Sequence, residues 1–484
     1  MNKRMISFIL GTLLILEAVI LLLPALVSCE KKTSEVSQTR IYAERAGWYY
    51  LFTAFGAALA GLALRLISRP TRKTIYARDG LLCVALGWVV LSLAGALPFT
   101  LCGDIPSYLD AVFEMVSGFT TTGSSILPNV EVLNRCSLFW RSFSHWIGGM
   151  GILVFMLAIV RMDGGQAIHL LRAESPGPTV SKMVPRMADS SKILYGIYFG
   201  LTVLQILFYL AGGDPLFDSL CNAFGTAGTG GFGIKADSIA SYSHFCQWVI
   251  TVFMLLFGVS FNMYYLLLIK RWREVLKSNE LKCYLGISLA AMIIIALSIM
   301  PLYGSIADAV RLSAFQVSSI VTTTGYATAD FDAWPSLAKA VLLILMFFGG
   351  CMGSTAGGLK MSRVTVLAQI ARNDLRRALR PREVSSVILN GRRVDAQGER
   401  QILSYFALYI AVIGAVFLLI SFEPFGIETN FSATVSCVNN IGPGFGSIGP
   451  SLSYADYSAF SKLVLSFAML LGRLEIMPLL VLLM

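Results

Sequence analysis

Residues 225–233 read GTAGTGGFG and place Gly228, Gly230 and Gly233 in the G-x-G-x-x-G spacing of a dinucleotide-binding turn. Read that way, the chain is a soluble α/β enzyme. Such a turn, however, follows a β-strand, opens a helix and has an acidic residue about 20 positions later. Here the tract follows a short helical stretch, Phe217 to Phe224, and leads into a loop. Three other stretches decide between the readings. DAVFEMVSGFTTTGSS (110–125), DSLCNAFGTAGTGGFG (218–233), SAFQVSSIVTTTGYAT (313–328) and FSATVSCVNNIGPGFG (431–446) share one plan, with Gly123, Gly230, Gly325 and Gly442 in register. They recur about 100 residues apart, as four diverged copies of one unit. The TTTG and NIGPG copies lack the nucleotide spacing, so the glycines serve something the four share.

Composition says where that unit sits. Of 484 residues, 56% are hydrophobic and 14% charged, too little polar surface for a soluble body of this size. Ten apolar stretches are candidates to cross about 30 Å of hydrocarbon: Met5–Val27, Trp48–Ile67, Leu81–Phe99, Trp140–Val160, Ile193–Leu210, Trp248–Ile269, Tyr284–Met300, Leu337–Phe348, Ile402–Phe422 and Leu463–Leu483. The net charge of +10 is gathered in alternate loops, around Arg65–Arg78, Arg161–Lys192, Lys270–Lys282 and Lys360–Arg400, while intervening loops carry acids such as Asp104, Asp214, Asp308 and Glu423. Basic loops remain on the cytoplasmic side, so ten spans place both termini inside and the charge implies no nucleic acid partner. The first apolar run ends in Leu26-Val27-Ser28-Cys29, a lipoprotein-like signal, but exceeds the roughly 7 to 15 residues of a signal core and is read as a retained helix. Nine cysteines without a C-x-x-C pair, and the distant His145, His169 and His244, offer no local metal motif or enzyme constellation.

Non-helical backbone at membrane depth is tolerated only where protein buries it or it lines a wet cavity. Four such tracts are best explained by one shared cavity, in which rings of backbone carbonyls replace the hydration shell of a monovalent cation. Threonines such as Thr122, Thr229 and Thr324 add hydroxyl oxygens. A secondary transporter of a small solute, with a midplane site between two related halves, is the alternative. It calls for pairs of interrupted spans rather than four outward tracts.

SGFTTTGSS, TGGFG, TTTGYA and NNIGPGFG, together with SHWIGGMGILV (144–154), AESPGP (173–178), GSTAGGLK (353–360) and GRLEIMPLL (472–480), resemble the Trk/Ktr/HKT superfamily of potassium transporters, in particular its TrkH branch. The resemblance implies an all-α polytopic fold of four helix–pore helix–filter–helix repeats around one pore, preceded by two extra transmembrane helices. The units would be 1–70 for the helix pair, then repeats at 71–165, 166–275, 276–385 and 386–484. It implies a potassium filter at Thr121, Thr122, Gly123, Thr229, Gly230, Thr323, Thr324, Gly325, Asn440, Ile441 and Gly442, with Gly444 a competing register in the fourth tract. It also implies an intramembrane gating loop at Gly349, Gly350, Gly353, Gly357, Gly358 and Lys360, with Arg473 an electrostatic barrier near the pore. Potassium would be the transported ion with no nucleotide on this chain. The partners would be a second copy in a homodimer and a TrkA-like cytoplasmic nucleotide-binding ring, in a bacterial inner membrane.

Residue chemistry supplies alternatives. The loop glycines also suit close helix packing, and Arg473 and Glu475 also suit a structural salt bridge. Glu114 could hold the filter, raise cation density at its mouth, or simply bond nearby backbone. Asp110 and Asp218 read as helix N-caps. His145 and Trp146 read as packing residues, and the basic run Arg372–Arg400 as a solvated, lipid-facing or partner-docking surface.

Overall fold

The computed structural model describes residues 2–27, 37–68, 77–151, 187–382, 385–476 and 478–480. Outside them lie Cys29, the Arg69–Lys73 and Arg161–Arg186 basic residues, His169, AESPGP, and the C-terminal ends of the expected spans Trp140–Val160 and Leu463–Leu483. Helices α1 (Lys3–Ile20), α2 (Leu22–Val27) and α3 (Ser37–Ile67) come first. A Cβ added at Gly11 of α1 or Gly61 of α3 would sit 2.6 Å from the other's carbonyl oxygen, so this pair crosses with backbones in contact.

A four-part order then recurs. The first copy is α4 (Ala77–Leu101), α5 (Tyr108–Phe119) and α6 (Arg135–Gly149). The second is α7 (Met187–Ala211), α8 (Leu216–Gly228), α9 (His244–Phe257), α10 (Phe261–Leu268) and the short α11 (Trp272–Leu276). The third is α12 (Asn279–Tyr303), α13 (Ile306–Val321), α14 (Ser336–Leu345) and α15 (Met361–Leu379). The last is α16 (Ala396–Ile420), α17 (Ile427–Asn439) and α18 (Ala459–Arg473). In each copy a long outer helix leads to a short inner helix, a non-helical tract and a second helix. A two-stranded hairpin, Ile388–Leu389 with Arg392–Arg393, precedes α16.

The outer helices present an apolar face outward, while the interior around the four tracts is polar. Phe199, Leu207, Leu289, Leu297 and Leu418 on the long outer helices are exposed, whereas Thr120–Thr122, Thr226, Thr229, Thr322–Thr324, Asn439 and Asn440 are buried. Leucine outward and threonine inward is the arrangement hydrocarbon surroundings demand. Among the described residues six helices are long and apolar enough to span: Lys3–Val27 as a broken unit, Ala46–Ile67, Arg78–Leu101, Lys192–Ala211, Asn279–Tyr303 and Ala396–Ile420. The chain is a multi-pass membrane protein.

The other four expected spans are the second helices of the four copies, and the structure corrects them. Sequence placed a break only in the third. In fact α6 stops at Gly149 with Gly151 at φ +84°, α9 and α10 bend by 89° about Gly258–Ser260, and α14 is followed by non-helical residues 346–360. Helix α18 stops at Arg473, before Glu475 and Ile476 at positive φ. In the first, second and fourth copies the break lies where the second helix runs into the end of a short inner helix. A Cβ at Gly148 would overlap the Phe119 carbonyl, one at Gly472 the Val438 carbonyl, and one at Gly258 would reach the Thr322 side chain. The inner helices meet at their C-terminal ends, and the second helices end against them.

Candidate functional site

The four inner helices end in one way. Thr121, Thr229, Thr323 and Asn440 take the left-handed conformation at φ 54–56°. The next amide, of Thr122, Gly230, Thr324 or Ile441, donates back five residues to the carbonyl of Ser117, Gly225, Ser319 or Ser436 at 2.8–2.9 Å. This is a Schellman closure. Left-handed backbone is unusual for β-branched threonine, and such strain gathers at working sites. Two residues after each of these stands a glycine at positive φ: Gly123 (81°), Gly231 (73°), Gly325 (85°) and Gly442 (105°). Backbone conformation therefore moves the second tract's register by one from the sequence alignment. Gly231, not Gly230, matches Gly123, Gly325 and Gly442.

These glycines lock the tracts together in a circle. A Cβ on Gly123 would overlap the carbonyl oxygen of Gly230, one on Gly231 that of Thr324, and one on Gly325 that of Ile441. One on Gly442 would come within 2.8 Å of the carbonyl of Thr122. The contacts run from tract one to two, two to three, three to four and four back to one. Four carbonyls at one register are thus brought together by four residues that must lack a side chain. Hydroxyls brace the tracts from behind. Thr120 and Thr122 bond at 2.7 Å, Thr322 and Thr324 at 2.8 Å, and Asn440 Nδ2 donates to Thr122 Oγ1 at 2.9 Å. Fixed carbonyl dipoles at this density can substitute for the hydration of a monovalent cation.

Gly230 serves a different need. Its counterparts Thr122, Thr324 and Ile441 carry side chains, but a Cβ at 230 would overlap the ring of His145. That ring is fully buried, 4.2 Å from Phe232. His145 is a packing residue behind the second tract. Trp146 stacks on Tyr198 and donates from Nε1 to Thr202.

The glycine-rich segment 346–360 lies directly against the ring. The Gly357 amide donates to Thr323 Oγ1 at 2.6 Å, and a Cβ at 357 would be 2.5 Å from the Asn439 carbonyl. The segment folds on itself through Gly349 N to the Leu359 carbonyl (2.9 Å), where a Cβ at 349 would overlap the Gly357 carbonyl. It is tied to the α9–α10 bend by Cys351 N to the Gly258 carbonyl (2.9 Å) and Phe261 N to the Gly353 carbonyl (3.0 Å). Gly353 and Gly358 are at positive φ, and Gly350 lies 2.7 Å, by its would-be Cβ, from the Gly258 carbonyl. Lys360 is buried at the start of α15, with Nζ donating to the Ala356 carbonyl.

Arg473 reaches across three copies from the end of α18. It donates to the Thr355 carbonyl at 2.8 Å, to the Gly149 carbonyl at 2.7 Å and to that of Gly148. The last two are carbonyls at the C-terminus of α6, where the helix dipole favours a cation. Glu475 pairs with Arg363, whose guanidinium lies 3.9 Å from the Tyr405 ring centre. Arg363 was not singled out from sequence because it sits in an ordinary amphipathic stretch.

Two capping assignments are corrected. Ser107, not Asp110, caps α5, and Asp110 instead accepts from Lys462 Nζ at 2.8 Å. Helix α8 has Pro215 at its N-cap and no side-chain cap, and Asp218 accepts from the Tyr242 hydroxyl at 2.9 Å. Glu114 bonds the Ile126 amide at 2.9 Å and the Ser125 hydroxyl at 3.0–3.1 Å, and it pairs with Arg141, which sequence also missed. Among the described residues no cluster of three metal-ligating side chains occurs.

The sequence profile of the TrkH family, described as a cation transport protein, matches residues 51–484. The Trk system potassium uptake protein TrkH of Vibrio parahaemolyticus is 34% identical over 493 residues, covering 100% of this chain and 99% of that one. The TrkH of Escherichia coli is 33% identical over 489 residues, with 100% and 98% covered, and its TrkG 32% over 416, with 84% of each covered. The crystal structure of the potassium transporter TrkH from V. parahaemolyticus superposes with a TM-score of 0.87 at 31% identity, covering 100% of this chain and 99% of that one.

Proposed function

The chain belongs to the TrkH family of cation transport proteins, and from that premise we propose that it takes up potassium through the four-tract ring across a bacterial inner membrane. The observation that carries this reading is the closed circle of glycine-to-carbonyl contacts, which gathers the Thr122, Gly230, Thr324 and Ile441 carbonyls at one level. Potassium sheds water at the outer mouth and exchanges it for these oxygens. Thr121, Thr229, Thr323 and Asn440 set the backbone that aims them, and Gly123, Gly231, Gly325 and Gly442 admit the close approach. No step requires a chemical reaction or a bound nucleotide on this chain.

Segment 346–360 is the gate. It presses on the ring through Gly357 and is held from below by Arg473, whose charge adds an electrostatic barrier to a cation. Helix α15 is joined to it directly, through the Met361 amide to the Gly350 carbonyl at 3.1 Å, so a shift of α15 moves it. The basic cytoplasmic face, with exposed Arg372, Arg376, Arg377, Arg380, Arg392 and Arg393, suits a TrkA-like nucleotide-binding ring that moves α15. The working particle is a homodimer with one pore per chain. Two related halves, as a small-solute transporter would have, are not the symmetry of a ring closed through four tracts.

The test is rubidium uptake into liposomes holding the purified protein, with potassium or sodium as competitor, beside Gly325→Ser. Strong competition by potassium, weak competition by sodium, and lost discrimination in the variant are expected. Equal competition by sodium in the parent protein would sink the reading.

A further inference from the structure

Resting on the ring as the filter, we propose that the buried pair Glu114–Arg141 is a positioning pair that fixes the spacing of the first and second tracts, and so the discrimination between potassium and smaller cations. Glu114 on α5 and Arg141 on α6 are 1% and 2% exposed. Arg141 Nε lies 2.8 Å and Nη2 2.7 Å from Glu114 Oε1. Glu114 Oε2 accepts from the Ile126 amide at 2.9 Å, and the Ser125 hydroxyl donates to the carboxylate at 3.0–3.1 Å. Arg141 meanwhile donates from Nη1 to the Gly233 carbonyl at 3.3 Å and lies 4.1 Å from the Phe232 ring centre. Ser125 and Gly233 each stand two residues beyond a ring glycine, Gly123 and Gly231. One ion pair therefore grips two neighbouring tracts at the same level.

The other junctions are built differently. Between tracts two and three the Tyr326 hydroxyl reaches the Asn222 and Phe232 carbonyls at 3.3 and 3.4 Å. Between four and one the Tyr454 amide donates to the Ser125 carbonyl at 2.8 Å, and the Ser124 hydroxyl to the Gly442 carbonyl at 3.2 Å. Between three and four Asp332 accepts from the Gly446 amide at 3.0 Å, and its partner Lys339 is partly exposed. Seven residues before the left-handed position stand Glu114, Asn222, Gln316 and Ala433, of which only Glu114 is charged. A buried ion pair repays its desolvation poorly as a source of stability, and its best-supported use is to fix a geometry. The guanidinium fork does so by addressing the carboxylate and a second tract's carbonyl at once, which a lysine ammonium cannot match.

The experiment measures potassium-against-sodium competition of rubidium uptake, with melting temperature alongside, for Glu114→Gln/Arg141→Met, Arg141→Lys and the filter control Gly325→Ser. The double variant removes both charges together and leaves neither buried alone. It is expected to melt near the parent protein while its preference for potassium falls on the order of tenfold, as when binding groups shift by a fraction of an ångström. Arg141→Lys, which keeps the charge balance and loses the reach to Gly233, is expected to fall between, and it carries the test if the double variant does not fold. Parent-like discrimination in the folded variants, with discrimination lost in Gly325→Ser, overturns the proposal and leaves the filter standing. Unchanged discrimination in all three removes the filter reading and this proposal with it.

Discussion

Gly230 and His145 compete for one volume, and that shows why the glycine in register by sequence is not the one in register by backbone. Its neighbour Gly231 carries the positive φ, while Gly230 is small because a histidine from another copy occupies the space its side chain would take. Gly230→Ala is therefore expected to destabilise the protein by about 1–3 kcal/mol through overpacking. Adding His145→Ala is expected to recover most of that loss, read as the melting temperature of the two variants in one detergent. No recovery would mean that 230 needs glycine for its backbone after all. The buried threonines of the first and third tracts were legible from TTTG, because hydroxyl chemistry is local. Arg141 and Arg363 were not, because what defines each is a partner 27 or 112 residues away.

The short inner helices were legible as amphipathic stretches before the glycine tracts, but their left-handed ends were not, because they fall on Thr121, Thr229, Thr323 and Asn440 rather than on glycine. The breaks in the second helices were legible only in the third copy, where five glycines fall together. In the fourth copy the break falls at Glu475 and Ile476, within an apolar run that by composition continues as helix. Helix propensity is weak against tertiary packing, and here the end of an inner helix lies in the way. The third copy's loop hangs on one side-chain acceptor. Thr323→Val removes the hydroxyl that takes the Gly357 amide while keeping the side-chain shape. It leaves that buried amide unpaired, at about 1–3 kcal/mol. If the segment is the gate, rubidium uptake in liposomes without partner rises severalfold. Unchanged flux would take this bond out of the gating account.

At the scale of the molecule, alternate loops of opposite charge set the orientation. A cysteine at Arg392 is expected to react with a membrane-impermeant maleimide only in inside-out vesicles, and one at Asp237 only in right-side-out cells, each against the parent background. The reverse pattern would invert the membrane assignment and send the proposed uptake outward. The described native cysteines interfere little, since seven are buried and Cys283 is partly so.

Sequence by itself determined the membrane class, the long apolar helices among its ten candidate spans, the fourfold recurrence and the four tracts. Each follows from composition, hydrophobic length or a short motif, which are properties of contiguous residues. Only the tertiary structure decided the order in which the tracts close, the register of the second, the breaks in the first, second and fourth copies and the ion pair behind the first two. Those depend on which carbonyl, ring or carboxylate from a distant copy occupies the space beside a given backbone. Volume and charge shared between segments roughly 100 residues apart leave no periodic trace in either one.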